Sequence, residues 1–320
     1  MRPLHASHCT GGRKVRSFAP NSPREEQEMR YGIAIPQANV FADPAAVRAI
    51  ARAAEELGFD SVWVSDHVIV PEGSTYIPET MYEPLALLAW LAAETRHVVI
   101  GTSVLIAPYR NPVFTAKFLS TVDHLSGGRL VVGVGAGWLK EEFEALGVPF
   151  AERGPRTDEA VRVFRNLWES ETSTFEGRWT RYTRMRMFPK ASPLRRGSIP
   201  ILVGGNGAPS IRRAAQLGDG WHPINLSLDE FRAGVARYRA ACERFERTPG
   251  PVVLRHMPGG RTRPSGERWP FTGTADEVAA DIRAFAAAGL DELMLSTFAR
   301  TPAEYIAELR RFAREVIPRV

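Results

Sequence analysis

The sequence of 320 residues is poor in cysteine and in lysine. Cys9 and Cys242, the two cysteines, form neither a disulfide framework nor a metal-ligand motif, so we expect a cytoplasmic protein. No stretch approaches the roughly 20 consecutive apolar residues that a membrane helix needs. Arginine supplies most of the 41 basic residues, and 36 acidic residues leave a net charge of +5. That excess is too small to indicate a nucleic-acid partner.

The first 28 residues lack the apolar run of a secretory signal and show no helical pattern. We expect them to form a disordered extension, with Met29 as an alternative start. The rest of the chain carries its 27 Gly and 24 Pro singly, without a repeat or a low-complexity tract. We therefore predict that residues 29–320 form one globular domain.

From residue 31 onward, short apolar runs alternate with longer helical patterns. Two helix starts carry capping boxes, Ser227 with Glu230 and Thr274 with Glu277. The predicted strands are 31–35, 60–64, 97–105, 129–134, 200–203, 220–223, 251–257 and 291–296. The predicted helices are 44–58, 83–94, 112–126, 155–170, 211–217, 227–247, 274–289 and one that begins at 301. A strand-rich stretch over 172–187, with a turn at Glu176-Gly177, is predicted to be an inserted hairpin.

Eight strand-then-helix units predict an α/β fold of the (β/α)₈ TIM-barrel type, with an insertion between strands 4 and 5. A doubly wound parallel sheet is the alternative. Continuous apolar strands such as 98–100 fit both folds, because helices cover parallel strands on both faces. No G-x-G-x-x-G segment follows the first strand, which argues against a dinucleotide-binding sheet.

In such a barrel the reacting groups lie at the C-terminal ends of the strands. These positions contain no pair of metal-binding histidines, no lysine for a Schiff base and no G-x-S-x-G elbow. Hydrolase and aldolase chemistry are therefore disfavoured. Asp66 and His67 follow the second strand, where a histidine can exchange a proton near neutral pH or can serve only as a structural hydrogen-bond partner.

Two glycine-rich segments follow strands. Backbone N–H groups before a helix suit a phosphate at Gly204, Gly205, Asn206 and Gly207, although such turns are also ordinary connectors. The second segment ends in Gly135, Ala136, Gly137 and Trp138. Its glycines have two explanations, close packing of the strand against a helix and a flat ring that lies on the backbone. Arginine is concentrated in residues 178–196 and 255–268, which we interpret either as solvated loops or as anion-binding loops.

Four ordered segments resemble the bacterial luciferase-like family of flavin- and F420-dependent oxidoreductases, and most of all its F420-dependent branch. The segments are Ser61-Val-Trp-Val-Ser-Asp-His67, Ile100-Gly-Thr-Ser-Val-Leu-Ile-Ala-Pro108 with Arg110-Asn-Pro112, Gly127-Gly-Arg-Leu-Val-Val-Gly-Val-Gly-Ala-Gly-Trp138 with Glu142-Phe143, and Pro200-Ile-Leu-Val-Gly-Gly205 with Gly218-Asp-Gly-Trp221. The resemblance extends from about Met29 to the C-terminus.

The resemblance implies a deazaflavin or flavin over the barrel mouth, with its phosphate at residues 204–207 and the segment 135–138 lining the same pocket. It also implies a non-proline cis peptide at Ser103-Val104 behind the ring. His67, with Asp66, would face the reactive edge of the ring. Sugar-phosphate dehydrogenases of this family carry an acidic residue in the strand-four loop, where this chain has Ala136. That difference disfavours a sugar-phosphate substrate.

With so few reactive side chains, a cofactor must supply the chemistry. The leading hypothesis is hydride transfer between coenzyme F420 and a small organic substrate, with His67 handling the proton and arginine-rich loops binding the polyglutamate tail of F420. The alternatives are an FMN-dependent monooxygenase that uses O₂ and a separate reductase, and a non-catalytic flavin-binding barrel. The resemblance also implies a homodimer, and we expect no membrane partner.

Overall fold

The structure is a computed structural model that describes residues 28–75, 77–192, 197–257, 266–297 and 299–320. Residues 1–27 of the expected extension lie outside the described residues. So do four arginines of the two arginine-rich loops, Arg195, Arg196, Arg261 and Arg263.

Eight of the strands are parallel and form one sheet. The strands are β1 Arg30–Ala34, β2 Ser61–Val64, β3 Val99–Ile106, β4 Leu130–Gly135, β5 Ser173–Glu176, β6 Arg181–Met185, β7 Ile201–Gly204, β8 Gly220–His222, β9 Val253–His256 and β10 Glu292–Leu295. Their order in the large sheet is β8-β7-β4-β3-β2-β1-β10-β9. Parallel bridges from Trp221 to Val252 and from Ile224 to Arg255 join the two edges. The strands therefore form a nearly closed barrel, as predicted.

Helices follow the strands around the outside. They are α1 Pro44–Leu57, α2 Pro84–Glu94, α3 Pro112–Leu125, α4 Lys140–Ala145, α5 Arg153–Glu169, α6 Ala208–Leu217, α7 Leu228–Arg244, α8 Ala275–Ala287 and α9 Pro302–Arg311. Both predicted capping boxes are present, at Ser227 and Thr274. The sequence patterns did not predict α4, whose six residues are too few to show helical periodicity. Among the described residues, no helix has the length and apolar character needed to cross a membrane.

The predicted insertion is an antiparallel hairpin of β5 and β6, which lies between α5 and β7 in the chain. The turn begins where the sequence indicated it, because Gly177 donates its backbone N–H to the carbonyl of Thr180 at 2.8 Å. The hairpin therefore confirms the insertion between the fourth and fifth strands of the barrel.

Large apolar side chains fill the middle of the barrel. This cluster comprises Trp63, Val99, Val131, Leu202, Val253 and Met294. A Cβ at Gly101 would lie 2.4 Å from the indole of Trp63, so that glycine makes room for the largest member. Because strand side chains alternate, residues two positions further along β9 and β10, Arg255 and Ser296, also face the lumen, at its C-terminal end. The floor of the mouth is therefore polar.

Candidate active site at the barrel mouth

His67 follows β2 and is held by a buried carboxylate. Its Nδ1 lies 2.8 Å from Oε2 of Glu142, the second acidic residue of α4, whose side chain is wholly buried. The Glu142 carboxylate also accepts the backbone N–H of Val68 at 2.7 Å and the hydroxyl of Tyr109 at 2.9 Å. No described residue hydrogen-bonds to Nε2 of His67, whose side chain is 18% exposed.

Charge and hydrogen bonding fix the ionisation of Glu142 and the tautomer of His67. Burial raises the pKa of Glu142, but hydrogen bonds from His67, the Val68 amide and Tyr109 outweigh burial and hold the pKa below its usual range. Glu142 is therefore ionised near neutral pH and accepts a hydrogen bond from the Nδ1–H group of His67. Neutral His67 then has its lone pair on Nε2, the nitrogen left available at the mouth.

Asp66 lies beside His67 in the chain but is turned away from it. Its two oxygens accept hydrogen bonds from Nη1 and Nη2 of Arg110 at 2.6 and 2.9 Å, and the backbone N–H of Ile106 donates at 2.8 Å. The Asp66 side chain is wholly buried. These contacts make Asp66 a positioning residue that ties the end of β2 to β3, since both oxygens are engaged and the side chain has no exposed surface.

The Ser103-Val104 peptide bond is cis, as the resemblance implies. It lies where the pairing of β3 with β4 shifts register. The Val104 side chain fills space left by glycines of the neighbouring strands: a Cβ at Gly135 would meet Val104 Cγ2 at 2.5 Å, and a Cβ at Gly204 would meet Cγ1 at 2.6 Å. Close packing against Val104 therefore accounts for Gly135.

The Ser103 hydroxyl belongs to a buried chain of hydrogen bonds. Its Oγ lies 2.8 Å from Nε2 of His222, and Nδ1 of His222 lies 2.5 Å from the carbonyl oxygen of Val253. Burial lowers the pKa of His222 to about 4. His222 is therefore neutral near pH 7, donates through Nδ1 to the Val253 carbonyl and accepts the Ser103 hydroxyl at Nε2.

The turn after β7 has the backbone form that an anion site requires. Gly205 has a φ of +115°, and a Cβ there would lie 2.6 Å from Oγ of Ser210. Gly207 caps α6 without a side-chain hydrogen bond, and the first turn of α6 contains no acidic residue. Asn206 does not face a ligand, because its amide pairs with the backbone of Ile224 at 2.7 and 3.0 Å. Its contribution is to tie the turn to the segment after β8.

The loop after β4 places an aromatic side chain at the mouth. Trp138 is 58% exposed, and its ring contacts the edge of the His67 ring with centroids 6.1 Å apart. Gly137 has a φ of +80°, and a Cβ there would lie 2.8 Å from both Ile106 and Phe143. Ala136 is partly buried beside it. The segment 136–138 therefore lies beside His67, as predicted.

Most described arginines of the hairpin have partners within the chain. Arg178 pairs with Glu152, Arg181 with Glu176 and Arg186 with Glu171, at 2.9, 3.2 and 2.6 Å. These contacts favour the solvated-loop interpretation over a site for an acidic tail. Arg255, from the second arginine-rich loop, instead points into the barrel and donates to the carbonyl of Ser103.

Partner residues that are distant in sequence escaped prediction. The motifs contained Arg110 and Glu142, but nothing in their spacing showed that one holds Asp66 and the other holds His67. The sequence assigned no role to His222, and it indicated Arg255 only as one charge of an arginine-rich loop. Among the described residues, no group of acidic, histidine and cysteine side chains could bind a metal ion.

Comparison with known proteins identifies the family. A family model described as luciferase-like monooxygenase matches residues 19–262. The chain belongs to this luciferase-like family. The family comprises oxidoreductases, including monooxygenases. The resemblance inferred from the four sequence segments is thus confirmed.

Relatives and structural neighbours of this family differ in their cofactors. The F420-dependent glucose-6-phosphate dehydrogenase of Kineococcus radiotolerans is 36% identical over 172 residues, which cover 52% of this chain and 49% of that enzyme. The monooxygenase RslO1 from Streptomyces bottropensis aligns with a TM-score of 0.76 and 25% identity, over 91% of this chain and 99% of that one. The oxygenating constituent of 3,6-diketocamphane monooxygenase from Pseudomonas putida, in complex with FMN, aligns with a TM-score of 0.75 and 18% identity over the same shares.

Proposed function

We propose that the protein is an F420-dependent oxidoreductase that transfers a hydride between the deazaflavin and a small organic substrate at the barrel mouth. The observation that carries the proposal is the His67–Glu142 pair, which presents one histidine nitrogen at the mouth. The identity with an F420-dependent dehydrogenase of Kineococcus radiotolerans supports the choice of cofactor.

The residues of the β7 turn fit a cofactor that carries a phosphate. Gly207 opens α6 without a side-chain cap, and α6 offers its positive end without an acidic competitor, while the N–H of Gly205 donates to the carbonyl of His222 at 3.2 Å and holds the turn against β8. The hydroxyl of Ser210 lies close to Gly205 and adds a donor. We therefore assign the phosphate to Gly204, Gly205, Gly207 and Ser210, with Asn206 as a positioning residue.

Bound F420 would supply the hydride chemistry of its deazaflavin ring. His67 would handle the proton that accompanies the hydride. In its neutral form Nε2 can accept a proton from a substrate hydroxyl, and in its protonated form the same nitrogen can donate one to a carbonyl oxygen. Glu142 fixes the orientation of the His67 ring because its ionised carboxylate lies 2.8 Å from Nδ1. Trp138 covers one side of His67 and reduces its contact with water.

An FMN-dependent monooxygenase is the second candidate, because the solved structures that resemble this chain include monooxygenases, one of them with FMN. Fluorescence titration of the purified protein with F420 and, separately, with FMN distinguishes the two candidates. We expect F420 to bind more tightly than FMN. Tight FMN binding with no measurable F420 binding would reverse the proposal in favour of the monooxygenase.

A non-catalytic barrel is tested with the variant His67→Ala. If the barrel only binds a flavin, this substitution leaves both cofactor affinity and every measured turnover unchanged. We expect instead unchanged F420 affinity and a loss of F420 reduction or reoxidation. Trp179→Phe, at the tip of the hairpin, is the matched control that should leave both properties unaltered.

A further inference from the structure

Arg255 is a positively charged side chain inside the barrel without a carboxylate partner. Among the described residues, no carboxylate forms a salt bridge with its guanidinium, and Nε is buried without any hydrogen bond. Burial lowers the pKa of Arg255 to about 10, so the side chain remains charged near neutral pH. A buried charge without a counter-ion is destabilising, and proteins normally pair it.

The contacts that Arg255 does make are weak substitutes for an anion. Nη1 donates to the carbonyl and, at 3.3 Å, to the hydroxyl of Ser103. Within the described ranges, the acceptor of Nη2 is the thioether of Met257, at 2.8 Å. A thioether is a poor acceptor compared with a carboxylate. The Nη1 edge of the guanidinium is therefore held by Ser103 of β3. The Nη2 edge has only a weak described acceptor, the Met257 thioether, which an anion can displace.

The position of this edge is suited to a ligand. Met257 follows β9 at the C-terminal end of the barrel and is 37% exposed, so its side chain can move away from Arg255. Ser296, which follows the neighbouring strand β10, has a buried Oγ without a hydrogen-bond partner. Two donors on adjacent strands thus lack acceptors at the floor of the mouth, on the opposite side of the lumen from Ser103.

We propose that Arg255 and Ser296 form a subsite for a carboxylate group of the substrate. A planar carboxylate would replace the Met257 thioether, accept from Nη2 and Nε of Arg255 in the bidentate arrangement, and accept the Ser296 hydroxyl. This inference deepens the proposed function, since it assigns the substrate to the class of small organic acids. The cofactor's own anionic group is assigned elsewhere, to the β7 turn.

The subsite is tested on the purified protein without cofactor, with a charged probe and its neutral isostere. ¹⁹F NMR titration with 4-fluorobenzoate and 4-fluorobenzamide measures the two affinities. We expect benzoate to bind about tenfold or more tightly than benzamide, as a charge-assisted bidentate pair requires. Equal affinity for the two probes would overturn the inference.

Further variants test whether Arg255 and Ser296 cause the preference for benzoate. Arg255→Gln should reduce benzoate affinity about tenfold or more and leave benzamide affinity unchanged, while Arg255→Lys should retain part of the benzoate preference. Arg232→Gln removes an equal charge from the exposed face of α7 and should change neither affinity. If Arg255→Gln does not fold, the lysine variant decides: unchanged benzoate affinity there and in Ser296→Ala contradicts the subsite.

Cofactor affinity separates this inference from the proposed function. F420 titration of the Arg255 variants should give the wild-type dissociation constant. A large loss of F420 affinity, with benzoate binding unchanged, would show that Arg255 serves the cofactor and would overturn the subsite. Arg255-dependent benzoate binding in a protein that binds only FMN would instead uphold the subsite and reject the proposed function.

Discussion

Glu142→Gln tests the pair on which the proposed chemistry rests. Glutamine keeps the shape of the side chain, and its carbonyl oxygen can still accept the Val68 N–H, which lies 2.7 Å from Oε1 in the native carboxylate. Its NH₂ group, however, cannot accept the hydrogen bonds that His67 Nδ1–H and the Tyr109 hydroxyl donate to Oε2 in the native protein. The variant therefore loses two hydrogen bonds to a charged acceptor in a buried place.

The loss in the free energy of unfolding follows from those two hydrogen bonds. A hydrogen bond to a charged group contributes about 1.5 to 3 kcal/mol, and partial rearrangement reduces the sum to about 2 to 4 kcal/mol. For a chain of this size that free energy lowers the melting temperature by roughly 3 to 6 °C. Turnover should also fall, by about 10² to 10³-fold, because His67 loses the carboxylate that fixes its tautomer and its ring orientation.

Nitrogen NMR of ¹⁵N-histidine-labelled protein reads the tautomer without any substrate. The His67 signals are those that disappear in His67→Gln. We expect the proton on Nδ1 in the wild type and on Nε2, or a mixture, in Glu142→Gln. Glu141→Gln, its exposed neighbour on α4, is the control that should match the wild type. The same His67 tautomer and the same turnover in Glu142→Gln would refute the reasoning.

Three further predictions concern the same mouth. His67→Gln should lower turnover about 10² to 10³-fold and leave the F420 dissociation constant unchanged, as measured by single-turnover absorbance and by fluorescence; weaker cofactor binding alone would contradict a role in proton transfer. Gly205→Ala should weaken cofactor binding about tenfold, because the φ of +115° and the nearby Ser210 side chain both oppose a Cβ at this position. The control is Gly147→Ala, where φ is +68° and the space is open, and it should only reduce stability. The stability advantage of the wild type over Glu142→Gln should be complete above the ordinary pKa of glutamate and should be lost as the pH falls through the lowered pKa of the folded state. Urea unfolding at a series of pH values measures this advantage, and a pH-independent difference would count against an ionised Glu142.

Local sequence signals were sufficient for most of the fold. Caps such as Ser227 and Thr274 depend on residues three positions apart, and apolar runs mark the parallel strands, so both can be read from a short window. Helix α4 was missed because six residues carry no periodicity. Its start was also obscured by Leu139, which caps it without a side-chain hydrogen bond.

The candidate site was predictable only in part. Glycines and the histidine at strand ends are visible in sequence, and the resemblance placed the cis bond at Ser103-Val104. The partners of those residues are not visible, because the barrel brings together positions that are far apart: Glu142 lies 75 residues from His67, and Arg255 lies 152 from Ser103. Asp66 was expected to face the reactive edge of the cofactor ring with His67, but its side chain is buried in a salt bridge with Arg110.

Glycine-selective ¹⁵N NMR during an F420 titration tests the central claim most directly, namely that a planar redox cofactor lies over the mouth with its phosphate on the β7 turn. If it does, the amide signals of Gly205 and Gly207 should shift with the same dissociation constant that fluorescence reports. Contradiction would come from shifts confined to glycines at the opposite end of the barrel, such as Gly58, which borders a separate cavity of about 630 Å³ lined also by Tyr31 and Phe59.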